Sequence, residues 1–132
     1  MEAKPKISLT QLKKDFSFLK KDLEKGEIIA VLLYGSYANN KQHVRSDIDI
    51  CIVAPKIKDI KQMAEMLRYS WGRANTSKYD IRLFEELPLK IKISIIENHK
   101  IIYSNFSSLQ EYFYLYRKLW KDQSINWIGK KN

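Results

Sequence analysis

The chain has 132 residues, 45% of them apolar when tyrosine and cysteine are included, and a formal net charge of +9. This length suits one domain spanning 1–132 with a single core. A lone cysteine, Cys51, excludes an intrachain disulfide, a cysteine-built zinc site and a dithiol redox pair.

No run approaches the roughly 18 apolar residues of a membrane span. The opening "MEAKPKISLTQLKK" lacks the apolar centre of a secretion signal, so the expectation is a cytoplasmic protein with no membrane association. The charge divides as +2 over residues 1–35, +2 over 36–89 and +5 over 90–132. Such a balance suits an anionic partner (a nucleotide, nucleic acid or an acidic protein), and equally a solvated lysine-rich surface.

Ser8 to Gln11 reads as a capping box, and Leu9, Leu12, Phe16, Leu19 and Leu23 recur at helical spacing until Gly26. "EIIAVLLY" (27–34) is an unbroken apolar run between two glycines, too short to favour a helix, and predicts a strand covered on both faces. The ten-residue segment 37–46 follows. "DIDICIVA" (47–54) then alternates Ile48, Ile50 and Ile52 with Asp47, Asp49, Cys51 and Val53, and Pro55 ends it.

Asp59 caps an expected helix whose stripe is Ile60, Met63, Ala64, Leu67 and Trp71, broken by "GRANTS" (72–77). "KYDIRLFE" (78–85) predicts a third strand, Pro88 suits the first turn of a further helix, and "KIIYS" (100–104) predicts a fourth strand. His99, before that strand, reads as a helix C-terminal cap. The last helix is expected from Ser107 or Ser108 to about 122, with Glu111 completing a capping box. Leu109, Phe113, Tyr116 and Trp120 are read as core or partner-facing. Tyr112 and Tyr114 cannot share one inward stripe, so part of this aromatic surface is expected at a subunit interface.

The order of elements indicates a layered α/β (α+β) domain with a mixed sheet of about four strands flanked by helices. If Ser36 is to lie near Asp47 and Asp49, the first two strands run antiparallel. The helix at 59–72 then makes a crossover, the third strand runs parallel to the second, and Asp80 arrives beside Asp49.

Asp47 and Asp49, at i and i+2, point to one face of their strand, so both carboxylates can converge on one oxygen-liganded cation. Buried without a cation or strong hydrogen bonds, two such charges would be costly. Gly35 lets the chain approach a phosphate with no Cβ in the way, and Ser36 adds a hydroxyl at what can be a helix start. Each feature alone is common. Asp-x-Asp marks many solvated strand starts, and Lys41, His43 and Arg45 read first as solvent-facing loop side chains.

Together, "GS", a ten-residue spacer and "DID" resemble the nucleotidyltransferase superfamily that includes DNA polymerase beta. Gly35, Ser36, Asp47 and Asp49 match the four fixed positions of its Gly-Ser-x10-Asp-x-Asp pattern, and the likeness runs from about residue 8 to 104. The chain is similar to the minimal members, often partnered as antitoxins with helical HEPN proteins, to whose tyrosine they can transfer AMP from ATP. The resemblance implies that Asp47, Asp49 and Asp80 hold Mg²⁺ or Mn²⁺, that Asp80 also helps activate the acceptor hydroxyl, and that Gly35 and Ser36 seat the triphosphate. Many relatives continue Gly-Ser-x-Ala-Arg-Gly, whereas this chain has "GSYANN", with Asn39 and Asn40 at the Arg-Gly positions.

The leading expectation is therefore a metal-dependent nucleotidyltransferase acting on a HEPN partner within a hetero-oligomer. The rivals are a non-catalytic antitoxin that inhibits its partner by occlusion and a basic nucleic-acid-binding protein, whose mark would be strong salt dependence. Asp80 also has a simpler reading, a strand-start carboxylate paired with Arg82 or a nearby lysine.

Overall fold

A computed structural model of the chain describes residues 8–35, 38, 48–74 and 78–130. Helix α1 spans Leu9–Asp15, a 3-10 turn Ser17–Leu19 and helix α2 Lys20–Glu24. Strand β1 (Ala30–Tyr34) and strand β2 (Ile48–Val53) precede helix α3 (Ile60–Arg73). Strand β3 (Tyr79–Leu83), a 3-10 turn (Phe84–Glu86), helix α4 (Leu89–Glu97), strand β4 (Lys100–Ser104) and helix α5 (Phe106–Lys130) complete the order. No helix of the described residues is long and apolar enough to cross a membrane.

The four strands form one sheet in the order β3-β2-β1-β4. β1 is antiparallel to both β2 and β4, and β2 is parallel to β3 across the α3 crossover. This is the mixed sheet expected from the sequence. The period of two places Ile48, Ile50 and Ile52 in one core layer, with Leu12, Phe16, Leu19 and Leu67 of the preceding helices and α3. Cys51 and Val53 face the opposite layer, with Phe84, Ile93, Ile96, Leu109 and Phe113. Phe16, Phe84 and Phe113 are fully buried, each contributing about 1.5–3 kcal/mol of transfer free energy. Burial also pushes the Cys51 thiol well above its ordinary range, so it is an inert core group.

Three local expectations are corrected. The first helix does not run unbroken to Gly26. The Ser17 hydroxyl donates to the Lys14 carbonyl at 2.9 Å, offering the backbone an alternative where the helix tightens into a 3-10 turn. Gly26 then stops α2 at φ 75. In α3, Asp59 accepts from the Gln62 N–H at 2.7 Å as expected, but Trp71 lies off the buried stripe and is 45% exposed, while Ser70 is buried. The inward row follows Met63, Leu67, Ser70 and Ala74 at helical spacing. Helix α5 opens one residue earlier than Ser107, because Asn105 accepts from the Ser108 N–H at 3.3 Å and serves as the cap. His99 does accept its capping role, with Nδ1 2.7 Å from the Ile95 carbonyl.

At the end of β2 away from the Asp-x-Asp motif, the Glu85 carboxylate accepts from the Ala54 N–H at 3.0 Å and from the Tyr112 hydroxyl at 3.0 Å. Burial outweighs these bonds and raises the Glu85 carboxyl above its ordinary value. The native state therefore holds this proton more tightly than the unfolded chain does, and stability falls as pH rises from the ordinary glutamate range through the raised one. Urea denaturation between about pH 4 and pH 7 should show wild type losing stability relative to Glu85→Gln as pH rises. An opposite slope would reverse the assignment.

Candidate active site

β1 ends at Tyr34, which sits in register opposite Asp49 of β2, and Asp49 in turn pairs in register with Asp80 of β3. In a parallel pair, residues in register project to the same side of strands about 4.8 Å apart, so the two carboxylates rise together from one end of the sheet. Gly35 turns the chain away from β1 at φ 73. A Cβ there would drive into an Asp49 carboxylate oxygen and come within 3.2 Å of its Cγ. The glycine thus answers two demands, a left-handed backbone and the closeness of an acid.

Asp80 is bonded by Arg82 two residues on, Nε to Oδ1 at 3.1 Å, with the acid side chain 39% exposed. The simpler pairing weighed from the sequence is thus present beside the Asp49 neighbourhood, and the two are compatible. An exposed ion pair of this kind is worth about 0–1 kcal/mol and yields readily to a stronger cation. Tyr34 is a group that the sequence reading passed over as strand filler. Burial first, then Cys51 and the charges of Asp49 and Asp80, push its hydroxyl above the ordinary tyrosine range and keep it protonated beside the acids. Only the register could have revealed it, since Tyr34 belongs to an apolar run.

The donor set fits a hard divalent cation: two carboxylates in register on neighbouring strands, one of them approached by a glycine with no Cβ to displace it. Among the described residues no group of three His, Cys, Asp or Glu side chains is placed to hold a metal. Asp47, Ser36, Lys41, His43, Arg45, Asn39 and Asn40 lie outside the described residues. Beyond Asp80 lies an open cleft of about 540 Å³, lined by Trp71, Gly72, Tyr79, Asp80 and Ile81.

Comparison with known proteins gives the family and the fold. Residues 16–107 match the family model described as Polymerase beta, Nucleotidyltransferase. A Methanocaldococcus jannaschii protein whose name proposes a protein adenylyltransferase is 48% identical over 96 residues, covering 73% of this chain and 72% of that protein. Among solved structures, a toxin–antitoxin complex with AMP-PNP contains a chain of the same fold, with TM-score 0.64, 16% identity, and coverage of 86% of this chain and 90% of that one. The Shewanella oneidensis complex of tri-AMPylated HEPN toxin with MNT antitoxin gives TM-score 0.59 at 15% identity, covering 88% of this chain and 90% of that one. Matched by the family model over most of its length, the chain belongs to the polymerase beta nucleotidyltransferase family.

Proposed function

We propose that this protein transfers AMP from ATP to a hydroxyl of a HEPN-type helical toxin, a tyrosine being the expected acceptor, and acts as its antitoxin in a cytoplasmic hetero-oligomer. The observation that carries this reading is the register of Asp49 against Asp80 with Gly35 closed on Asp49. The likeness to a protein whose name proposes a protein adenylyltransferase supports the AMP donor and a protein acceptor. The toxin–antitoxin neighbours support the partner class. Exposed Tyr114, Leu115 and Leu119 on α5 offer apolar surface for that partner.

In this reading Asp47, Asp49 and Asp80 hold Mg²⁺ or Mn²⁺, which when bound supplies positive charge to offset the triphosphate and the leaving pyrophosphate. Gly35 and Ser36 hold the β and γ phosphates, the first by leaving backbone N–H groups unshielded and the second through its hydroxyl. Tyr34, kept protonated, remains a neutral donor at the edge of the acid pair. Asp80 accepts the proton of the attacking hydroxyl. The overall charge of +9 favours encounter with an anionic nucleotide.

The test is incubation of the purified HEPN-type partner with α-labelled ATP and Mg²⁺ in the presence of this protein. Label on a partner tyrosine is the expected result. If an intact partner is neutralised yet carries no label, occlusion without catalysis is the better account.

A further inference from the structure

We infer that the open cleft beside β3 seats the acceptor polypeptide as an extended segment lying along the free edge of the sheet, an inference that rests on the AMP-transfer reading above. Tyr79 and Ile81 belong to the core layer beneath α1 and α3, whereas Asp80 projects to the opposite side. Successive residues of a strand alternate faces, so a space that touches all three must run along the strand's edge. β3 is the terminal strand of the sheet, and among the described residues no strand pairs with its outer side. Among the described residues its outward N–H and C=O groups meet no neighbouring strand, an edge to which the main chain of an added strand can bond.

The other wall comes from the last turns of α3. Gly72 presents no side chain, and a Cβ built on it would meet nothing within 4 Å. Trp71 beside it carries a large apolar surface 45% exposed to water, suited to packing on an apolar or aromatic side chain of an incoming segment.

Position decides what this segment is. Across the sheet the order is Gly35 at the end of β1, Asp49 on β2, Asp80 on β3, and then the cleft. With the β and γ phosphates held at the Gly35 end, an in-line displacement brings the nucleophile from the other side, where the cleft lies. The acceptor oxygen forms a bond to the α-phosphorus, and the bond from that phosphorus to the pyrophosphate oxygen breaks with its electron pair. The hydroxyl proton passes to the Asp80 carboxylate and on to water. An open trough along a strand edge matches a polypeptide passing through, since small-molecule sites enclose most of their ligand.

Gly72→Trp fills the cleft without backbone strain, because the position is an ordinary helical one with open space at Cβ. With an unchanged thermal melt, the variant should raise KM for the partner protein about tenfold or more while leaving Mg·ATP affinity by calorimetry unchanged. Unaltered partner KM in a folded Gly72→Trp protein overturns the inference. So does a fall in ATP affinity with unaltered partner binding, which would place the nucleobase in the cleft. Hydrogen exchange reads the same surface without catalysis. Protection of Tyr79–Leu83 amides on adding the partner supports the docking even if no AMP is transferred, a result that would sink only the catalytic reading. Unchanged exchange in a formed complex overturns the docking itself.

Discussion

Asp80→Asn should keep most Mg·ATP affinity and lose AMP transfer by about 10²-fold or more, the range for removing a general base or one ligand of a two-cation site. The asymmetry follows from where the two described acids sit. Asp49 is on β2, paired on one side with β1 and on the other with β3, and Gly35 is pressed against its carboxylate. Asp80 is on the edge strand, 39% exposed, and faces the cleft beyond. Under the proposed function, nucleotide holding falls on the Asp49 side and acceptor activation on the Asp80 side. Replacing Asp80 by Asn also frees Arg82 from an exposed pair worth about 0–1 kcal/mol, too little to unfold the domain. Calorimetric ATP binding and label transfer, measured on the same preparation, check both halves. Equal losses in binding and transfer would place Asp80 in nucleotide binding instead.

Gly35→Ala should cost more than its size suggests. A left-handed conformation carries about 1–2 kcal/mol for a residue with a Cβ, and here the added atom meets the Asp49 carboxylate, so either the turn or the acid must move. Gly26 supplies the internal control. Its φ of 75 is nearly the same, but a Cβ there meets only the flexible end of Lys56 at 3.4 Å. Both variants should lose stability in denaturant melts by about 1–2 kcal/mol through backbone strain. Only Gly35→Ala should also abolish AMP transfer, because it displaces a carboxylate from the site. Full activity in a folded Gly35→Ala protein would show that this turn does not set the position of Asp49.

Much of this arrangement was readable from the residues. The requirement that "GS" and "DID" meet dictated antiparallel β1 and β2, and a crossover helix after β2 dictated that Asp80 join Asp49. Both are in the structure. Capping was readable where one side chain decides it, as at Ser8 and Asp59. It failed at Asn105, because a repeat of serines offered two plausible starts while the end of β4 selected the asparagine through its N–H bond to the Ile29 carbonyl. Trp71 was misplaced because helical spacing alone admits two adjacent stripes, and only packing against the sheet selects between them. Tyr34 and Gly72 had no signal at all. Their significance comes from neighbours supplied by other strands, and no local pattern records those.

The three strands that hold Tyr34, Asp49 and Asp80 follow one another in the chain, whereas β4 lies at the far side of β1 and leads directly into α5. The parts of the proposed site are thus written in one passage from residue 30 to 83, and the long helix α5 with its exposed Tyr114 and Leu115 is written after it. Substitutions that re-tailor the helix for a different companion need not pass through the strands that hold the acids. Under the proposed function, such a layout lets the part of companion choice carried by that helix drift apart from transfer, while the part carried beside β3 stays tied to the strands that hold the acids.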